Sequence, residues 1–443
     1  MKVELSGHYG YWRIVKSMAP MAMMMIVTSV YTIVDGFFIS NFAGSDAFAG
    51  MNIIWPAFAL VGSLGMMVGA GGSALVSKTF GEGDTDRANR IFSMLVRLTL
   101  MTGAAAAVLM FIFASRISKA LGADEVLLPY STVYGRILIT MLPFYMVQVA
   151  FQPFYMVAER PELGTVMSVA CGLANIVLDA LFVAVFGWGL TGAAIATAIS
   201  YLVGGLYPLW FFSSRRNHTH LKFVRCGFDL RSIAKSCSNG LSEFVGNTSL
   251  NIISICYNLQ LMKYIGPDGV SAYGILMYVG FIFAAIFIGY NMGISQVIAF
   301  NYGAGRKEEL TSILHKSLVI ISVAGVILTA LAEISAPLIA RCFFSYDADL
   351  CRLTVHATRI YMLSFLLCGF NMFASAWFTA LNNGVVSAIV AFVRTLILEM
   401  AAVFVLPLIF GIEGIWMSVN AAELLAFAMS MTLIFSFRKR YGY

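Results

Sequence analysis

Glycines, acids and apolar runs recur along this chain at one constant spacing of about 222 residues. Gly44, Asp46, Ile53, Gly71, Ser73, Gly81, Gly83 and Ile91 return as Gly266, Asp268, Ile275, Gly293, Ser295, Gly303, Gly305 and Ile313, and Gly189 and Gly192 as Gly411 and Gly414. Because the offset holds without a gap, the chain is expected to fold as two copies of one unit. Apolar segments set the content of that unit. They fall near 18–41, 51–79, 91–114, 129–157, 164–187 and 189–212, and again near 233–263, 271–300, 311–340, 353–380, 386–410 and 414–437. Each reaches the ~20 residues that carry a helix across a hydrocarbon core. A helix also satisfies its own backbone polar groups where lipid cannot. Six spans return the chain to its starting side, so both halves insert in the same sense. The expectation is an all-α polytopic membrane protein of 12 transmembrane helices, two six-helix bundles related by a pseudo-two-fold axis along the membrane normal.

Little chain is left for anything else. Charged residues make up 11% and hydrophobic ones 60%, against about 25% and 45–50% in soluble domains. The net charge of +6 is spread over loop ends, so it gives no nucleic-acid footprint. No GxxxxGK[ST] loop offers to bind a nucleotide, and none of the five histidines lies in an HExxH-like zinc spacing. An enzyme is therefore not expected, nor a bound cofactor. The seven cysteines show no metal-like spacing. Cys342 and Cys351 share one loop and could pair if it is external; the plainer reading is two free thiols. Lys2, Arg13 and Lys16 precede an apolar run from Met18 to Asn41, longer than the ~7–15 residues of a signal-peptide core, so that run is read as the first membrane helix. Lys and Arg collect on one side, including Lys78, Arg87, Arg90, Arg306, Lys307, Arg438 and the segment 213–231. Positive charge marks the cytoplasmic side. The expected plan is a first lobe at 1–212, a cytoplasmic linker at 213–232 and a second lobe at 233–443, in the cell (inner) membrane with both termini cytoplasmic.

Acids within the apolar segments carry the chemistry, because a carboxylate at the bilayer centre costs at least ~2.5–3.5 kcal/mol and is functional by default. Asp35 lies deep in the first segment and Asp179 inside the fifth. Val27, Tyr31 and Asp35 are four apart and share a helix face, as do Asn175 and Asp179. Thr197 in the sixth segment can add a hydroxyl. Two carboxylates together in a dry site either share a proton or hold a small cation between them, which makes a coupling site for H⁺ or Na⁺. Pro20 removes a backbone hydrogen bond and should permit a bend in the first helix. In the second half, Glu243 either attracts a cationic substrate or pairs with Arg394. Glu333 lies near a helix end, and Glu399 and Glu423 are cavity or structural residues. The 25 methionines and 35 phenylalanines suit a re-packable cavity for amphiphilic cations, although many, such as Met21–Met25, serve packing.

Several runs together resemble the multidrug and toxic compound extrusion (MATE) family. They are Pro20…Tyr31-Thr-Ile-Val-Asp35, Phe80-Gly-Glu-Gly83-Asp84, and Asn175-Ile-Val-Leu-Asp179…Gly189-Leu-Thr-Gly192-Ala-Ala-Ile-Ala-Thr197. The resemblance covers almost the whole chain. It implies V-shaped lobes, a central cavity facing one side at a time, and export of cationic lipophilic drugs or dyes in exchange for H⁺ or Na⁺. Carried onto this sequence, it implies an ion site, with Na⁺ as one occupant, at Asp35, Asn175, Asp179 and Thr197. Tyr31 and Tyr134 become cavity neighbours, and Pro20 the bend that protonation triggers. Some branches place coupling acids in the seventh and tenth helices; here Glu243 occupies the seventh and the tenth has none. Ser242-Glu243 and Gly414-Ile-Trp416…Ala422-Glu423 look like the staphylococcal-type multidrug branch. A monomer in the lipid bilayer is expected. The rival reading is a lipid-precursor flippase of the same superfamily, which would need a cavity rich in Arg and Lys.

Overall fold

The computed structural model describes residues 4–344 and 347–443, so Lys2 lies outside the described residues. The first half begins with α1 (Tyr11–Phe38), which runs into a π-helical turn (Ile39–Ala43). Then follow α2 (Ser45–Gly81), α3 (Thr85–Ala120), α4 (Leu127–Thr140), α5 (Leu142–Val157), α6 (Pro161–Asp179) with a π-helical continuation (Ala180–Val185), and α7 (Gly189–Ser213). The second half has α8 (Leu230–Tyr264), α9 (Pro267–Gly303), α10 (Lys307–Phe344), α11 (Ala348–Met362) and α12 (Phe365–Ala380). It closes with α13 (Gly384–Phe392), a π-helical stretch (Val393–Leu398), α14 (Glu399–Phe410) and α15 (Ile412–Tyr441). Some starts are set by short polar caps. Asp84 accepts from the Arg87 N–H at 3.0 Å, and Asp229 from the Arg231 N–H at 3.0 Å and the Ser232 hydroxyl at 2.6 Å.

The duplication is visible in the backbone. The α4–α5 pair bends by 60° and the α11–α12 pair by 45°, and both breaks occupy the same place in the repeat. Gly44 and Gly266 have φ of 95° and 91°, and Gly189 and Gly411 have 54° and 58°. Only glycine adopts such angles freely, which is why these positions match in sequence. Nine helices among the described residues are long and apolar enough to cross a membrane, eleven if each bent pair is one span. The twelfth rod is α8, equally long at 35 residues but crossed by a polar stripe of Glu243, Asn247 and Asn251.

The two bundles meet through α2 against α8 and α1 against α9. Met18, Met21, Met24 and Met25 of α1 are buried in one core with Ile294, Val297 and Ile298 of α9. A Cβ at Gly81 would overlap the Phe300 carbonyl oxygen, and one at Gly303 the Lys78 carbonyl oxygen. These two contacts exchange under the repeat offset, as a two-fold axis requires. Ser77 Oγ donates to the Gln296 carbonyl at 2.7 Å, and Gln296 Nε2 to Ser73 Oγ at 2.9 Å. The N-terminal segment completes the join. The Tyr9 N–H donates to Glu309 at 2.8 Å, Lys316 Nζ to the Tyr9 carbonyl at 2.6 Å, and Arg306 to the Ser6 carbonyl. All of this lies on the face where both termini and the α7–α8 connection gather. At the opposite face, where α1 passes to α2 and α8 to α9, no hydrogen bond joins the bundles among the described residues. The bundles form a V with its apex at the terminus-bearing face.

Candidate ion and substrate site

Three helices build the site in the first bundle, and small residues let them approach. Gly172 of α6 lies against Tyr31 of α1, where an added Cβ would meet the ring at 3.1 Å. Thr165 Oγ1 donates to the Pro20 carbonyl at 2.6 Å, tying α6 to α1 again. Ser200 Oγ of α7 donates to the Cys171 carbonyl of α6 at 3.2 Å. Gly172, Asn175 and Asp179 share one stripe of α6, so this packing aims the amide and the carboxyl at α1. α1 runs unbroken through Pro20.

Asp35, Asn175, Asp179 and Thr197 come together. Asn175 Nδ2 donates to Thr197 Oγ1 at 3.4 Å. Asp35 faces both Asp179 and the Thr197 hydroxyl. Asn175 is 1% exposed and Asp179 0%. Four buried oxygens here, Asp35 Oδ1, Asn175 Oδ1 and both of Asp179, have no hydrogen-bond donor. Leaving such groups unmet in a dry interior is costly. A shared proton or a hard monovalent cation would satisfy them, and the donors are all oxygens. Among the described residues no group of three or more His, Cys, Asp or Glu gathers as a metal site.

Tyr31 and Tyr134 both stand within electrostatic reach of Asp35. Two further tyrosines escaped sequence reading: Tyr201 adjoins Tyr31, Tyr134, Tyr145 and Asp35. The Tyr145 and Tyr201 rings are 4.7 Å apart, and Phe58 lies 5.1 Å from Tyr145. The step of four from Thr197 to Tyr201 was the available signal. An aromatic wall around a paired carboxyl suits an organic cation as well as a proton.

In the second half, one of the two readings of Glu243 falls away. Glu243 does not pair with Arg394. Arg394 Nη2 donates to Glu423 Oε1 at 2.6 Å, and Nε to both carboxylate oxygens at 2.9 and 3.1 Å. Glu243 is exposed instead, midway along α8, where Asn247 Nδ2 reaches Met66 Sδ of α2 at 3.6 Å across the V. Glu333 meets Arg359 at 3.5 Å. Cys342 and Cys351 are free thiols.

A family model described as MatE matches residues 20–181 and again residues 244–405, once in each half. The multidrug export protein MepA of Staphylococcus haemolyticus (strain JCSC1435) is 24% identical over 422 residues, covering 95% of this chain and 92% of that protein. Among solved structures, a MATE crystallised in complex with MaL6 superposes with a TM-score of 0.92 at 20% identity over 98% of both chains. A multidrug resistance MATE family transporter of the MOP superfamily, solved in an outward-facing conformation, gives 0.91 at 22% identity, also over 98% of both chains.

Proposed function

Because this chain belongs to the MatE family of membrane transporters, we propose that it is a secondary active multidrug antiporter. It exports cationic lipophilic compounds in exchange for H⁺ or Na⁺ by alternating access. The observation that carries this reading is the set of four donorless buried oxygens at Asp35, Asn175 and Asp179. Such a set has a strong preference for one positive charge and no use in a purely structural helix contact. With Thr197 it forms the coupling site, and Tyr31, Tyr134 and Glu243 face the substrate. Residues 1–212 and 233–443 act as lobes that rock about the apex, and Pro20 is the point at which α1, unbroken here, can bend when the ion loads.

In the cycle, the bundles open away from the terminus-bearing face, the ion loads on Asp35 and Asp179, and affinity for the cationic substrate falls. The carrier then closes and opens to the other side, where the ion leaves and substrate enters. The membrane potential contributes about 2.3 kcal/mol per charge per 100 mV. The positive termini and linker support a cytoplasmic apex in the inner membrane, with the chain acting as a monomer. The relatives named multidrug export proteins support the substrate class. The flippase reading needs free cations, whereas Arg394 is held by Glu423 and Arg136 lies over the Phe111 ring at 5.4 Å.

The test is ethidium efflux from cells carrying Asp35→Asn or Asp179→Asn variants that still insert. Efflux should collapse in both, and normal efflux in both would sink the site. Vesicles given a pH gradient alone, then a sodium gradient alone, identify the ion.

A further inference from the structure

The second bundle holds an acid cluster of its own, with no counterpart at the same repeat positions in the first. Arg394 grips Glu423 through both carboxylate oxygens, and Asn371 Nδ2 donates to Glu423 Oε2 at 2.6 Å. Glu423 is thereby fully met. Glu399 is not. It is 9% exposed and makes no ion pair among the described residues. The π-helical stretch Val393–Leu398 brings residues five apart onto one side, so Glu399 faces the same cluster as Arg394. Facing Glu399 are Glu423 of α15, Arg394, and the Tyr257 hydroxyl of α8. Tyr273 of α9 and Tyr361 of α11 also lie within its reach, their rings 4.8 and 6.2 Å from that of Tyr257. Cys368 of α12 faces Glu423 and Arg394. Two carboxylates thus lie near one guanidinium, which Glu423 alone engages, in a site almost closed to water.

One negative charge is left over, and a dry interior does not carry it unpaired. A metal ion is a poor remedy, since it would sit beside the Arg394 guanidinium with one carboxylate and a phenol as its ligands, where hard cations take several oxygens. A proton neutralises the carboxyl without crowding Arg394. We infer that Glu399 is a second proton-carrying group, housed in the bundle opposite the Asp35–Asp179 pair. Tyr257 makes it responsive to transport. Tyr257 rides on α8, which also presents Glu243 to the cleft, so tilting α8 moves the hydroxyl that faces Glu399. The place of this proton in a cycle rests on the antiport reading, but its existence does not.

Infrared difference spectra of the full chain in phosphatidylethanolamine–phosphatidylglycerol vesicles, between about pH 9 and about pH 5, test it directly. The carbonyl stretch of protonated carboxyls should lose one component in Glu399→Gln, and keep that component in Asp35→Asn and Asp179→Asn. Adding tetraphenylphosphonium should change its intensity in the wild type. A Glu399→Gln spectrum superimposable on the wild type overturns the inference. If Glu399→Gln does not insert, Tyr257→Phe serves. It should shift the frequency and midpoint of the same component, and an unchanged component overturns the inference. The Asp35→Asn and Asp179→Asn spectra report the first-bundle pair alone, so failure there sinks the reading of that pair and leaves the Glu399 component standing.

Discussion

Replacing Gly81 and Gly303 by alanine should pry the bundles apart at the face that now joins them. A methyl at Gly81 overlaps the Phe300 carbonyl oxygen and stands 2.9 Å from the Ala304 nitrogen. A methyl at Gly303 overlaps the Lys78 carbonyl oxygen and stands 3.1 Å from the Lys78 Cα. The obstructing atoms are backbone, so no side chain can rotate aside. Forcing a methylene-sized group into a packed contact costs about 1–3 kcal/mol. In the alternating-access reading that cost falls only on the conformer whose apex is closed, so each substitution should shift the balance roughly 5- to 150-fold toward the opposite opening. The two sites share one interface and are not expected to add independently. Spin labels at Asp86 and Glu308, both exposed and related by the repeat, report the separation in a background freed of accessible thiols. The double variant should gain a longer-distance population. Gly246→Ala, where a Cβ meets nothing within 4 Å, is the neutral control. A folded double variant whose distance distribution matches the wild type would refute the reasoning.

Three other outcomes are expected. Thermal unfolding of the purified chain should rank Arg394→Met as most destabilising, by about 3–5 kcal/mol because the buried Glu423 carboxylate loses its partner. Glu423→Gln should follow, since Glu399 can turn to the freed guanidinium, and Glu399→Gln should cost least; any other order contradicts the charge count. Gly172→Val should displace Tyr31, whose Cδ1 and Cβ lie 3.1 and 3.3 Å from the Cβ position. It should lower ethidium efflux more than Gly172→Ala at equal expression, and equal efflux by the two would contradict the packing. At the start of α8, the Ser232 hydroxyl and nearby backbone N–H groups hold the Asp229 carboxyl below the usual range. Its folded value is depressed, so its contribution is present above the unfolded value of about 3.9 and fades as pH falls through the folded one. Hydrogen exchange in the first turn of α8 should therefore separate Asp229→Ala from wild type at neutral pH, and the difference should shrink below about pH 4.

Hydropathy made the twelve rods legible because lipid imposes one simple demand, a continuous apolar helix. Even α8 was found, since Glu243, Asn247 and Asn251 interrupt only one face. The Asp35–Asp179 encounter was legible because spacing on each helix and the cost of intramembrane charge both pointed to it. The partner of Arg394 was not legible for the opposite reason. It sits 29 residues away on another helix, and helix-to-helix rotation is not written in local spacing. The bends after Thr140 and Met362 were hidden inside single apolar runs. Tyr201 was hidden by its ordinariness, one more aromatic on a greasy helix.

The three π-helical stretches among the described residues lie at the ionisable groups: one just past Asp35, one starting directly after Asp179, and one that includes Arg394 and ends directly before Glu399. A π turn holds one residue more than the α-helix around it would, so each stretch is a stored residue. Passing that residue along the rod turns everything in between by about 100°, and no helix need unfold. The copies do not store it at matching positions: residues 180–185 correspond to 402–407, which are α-helical through Pro407. Any rotation that uses the stored residue would therefore act at different places in two halves of one architecture. Deleting one residue from Ala180–Val185 would re-time the first bundle while leaving the second as it is.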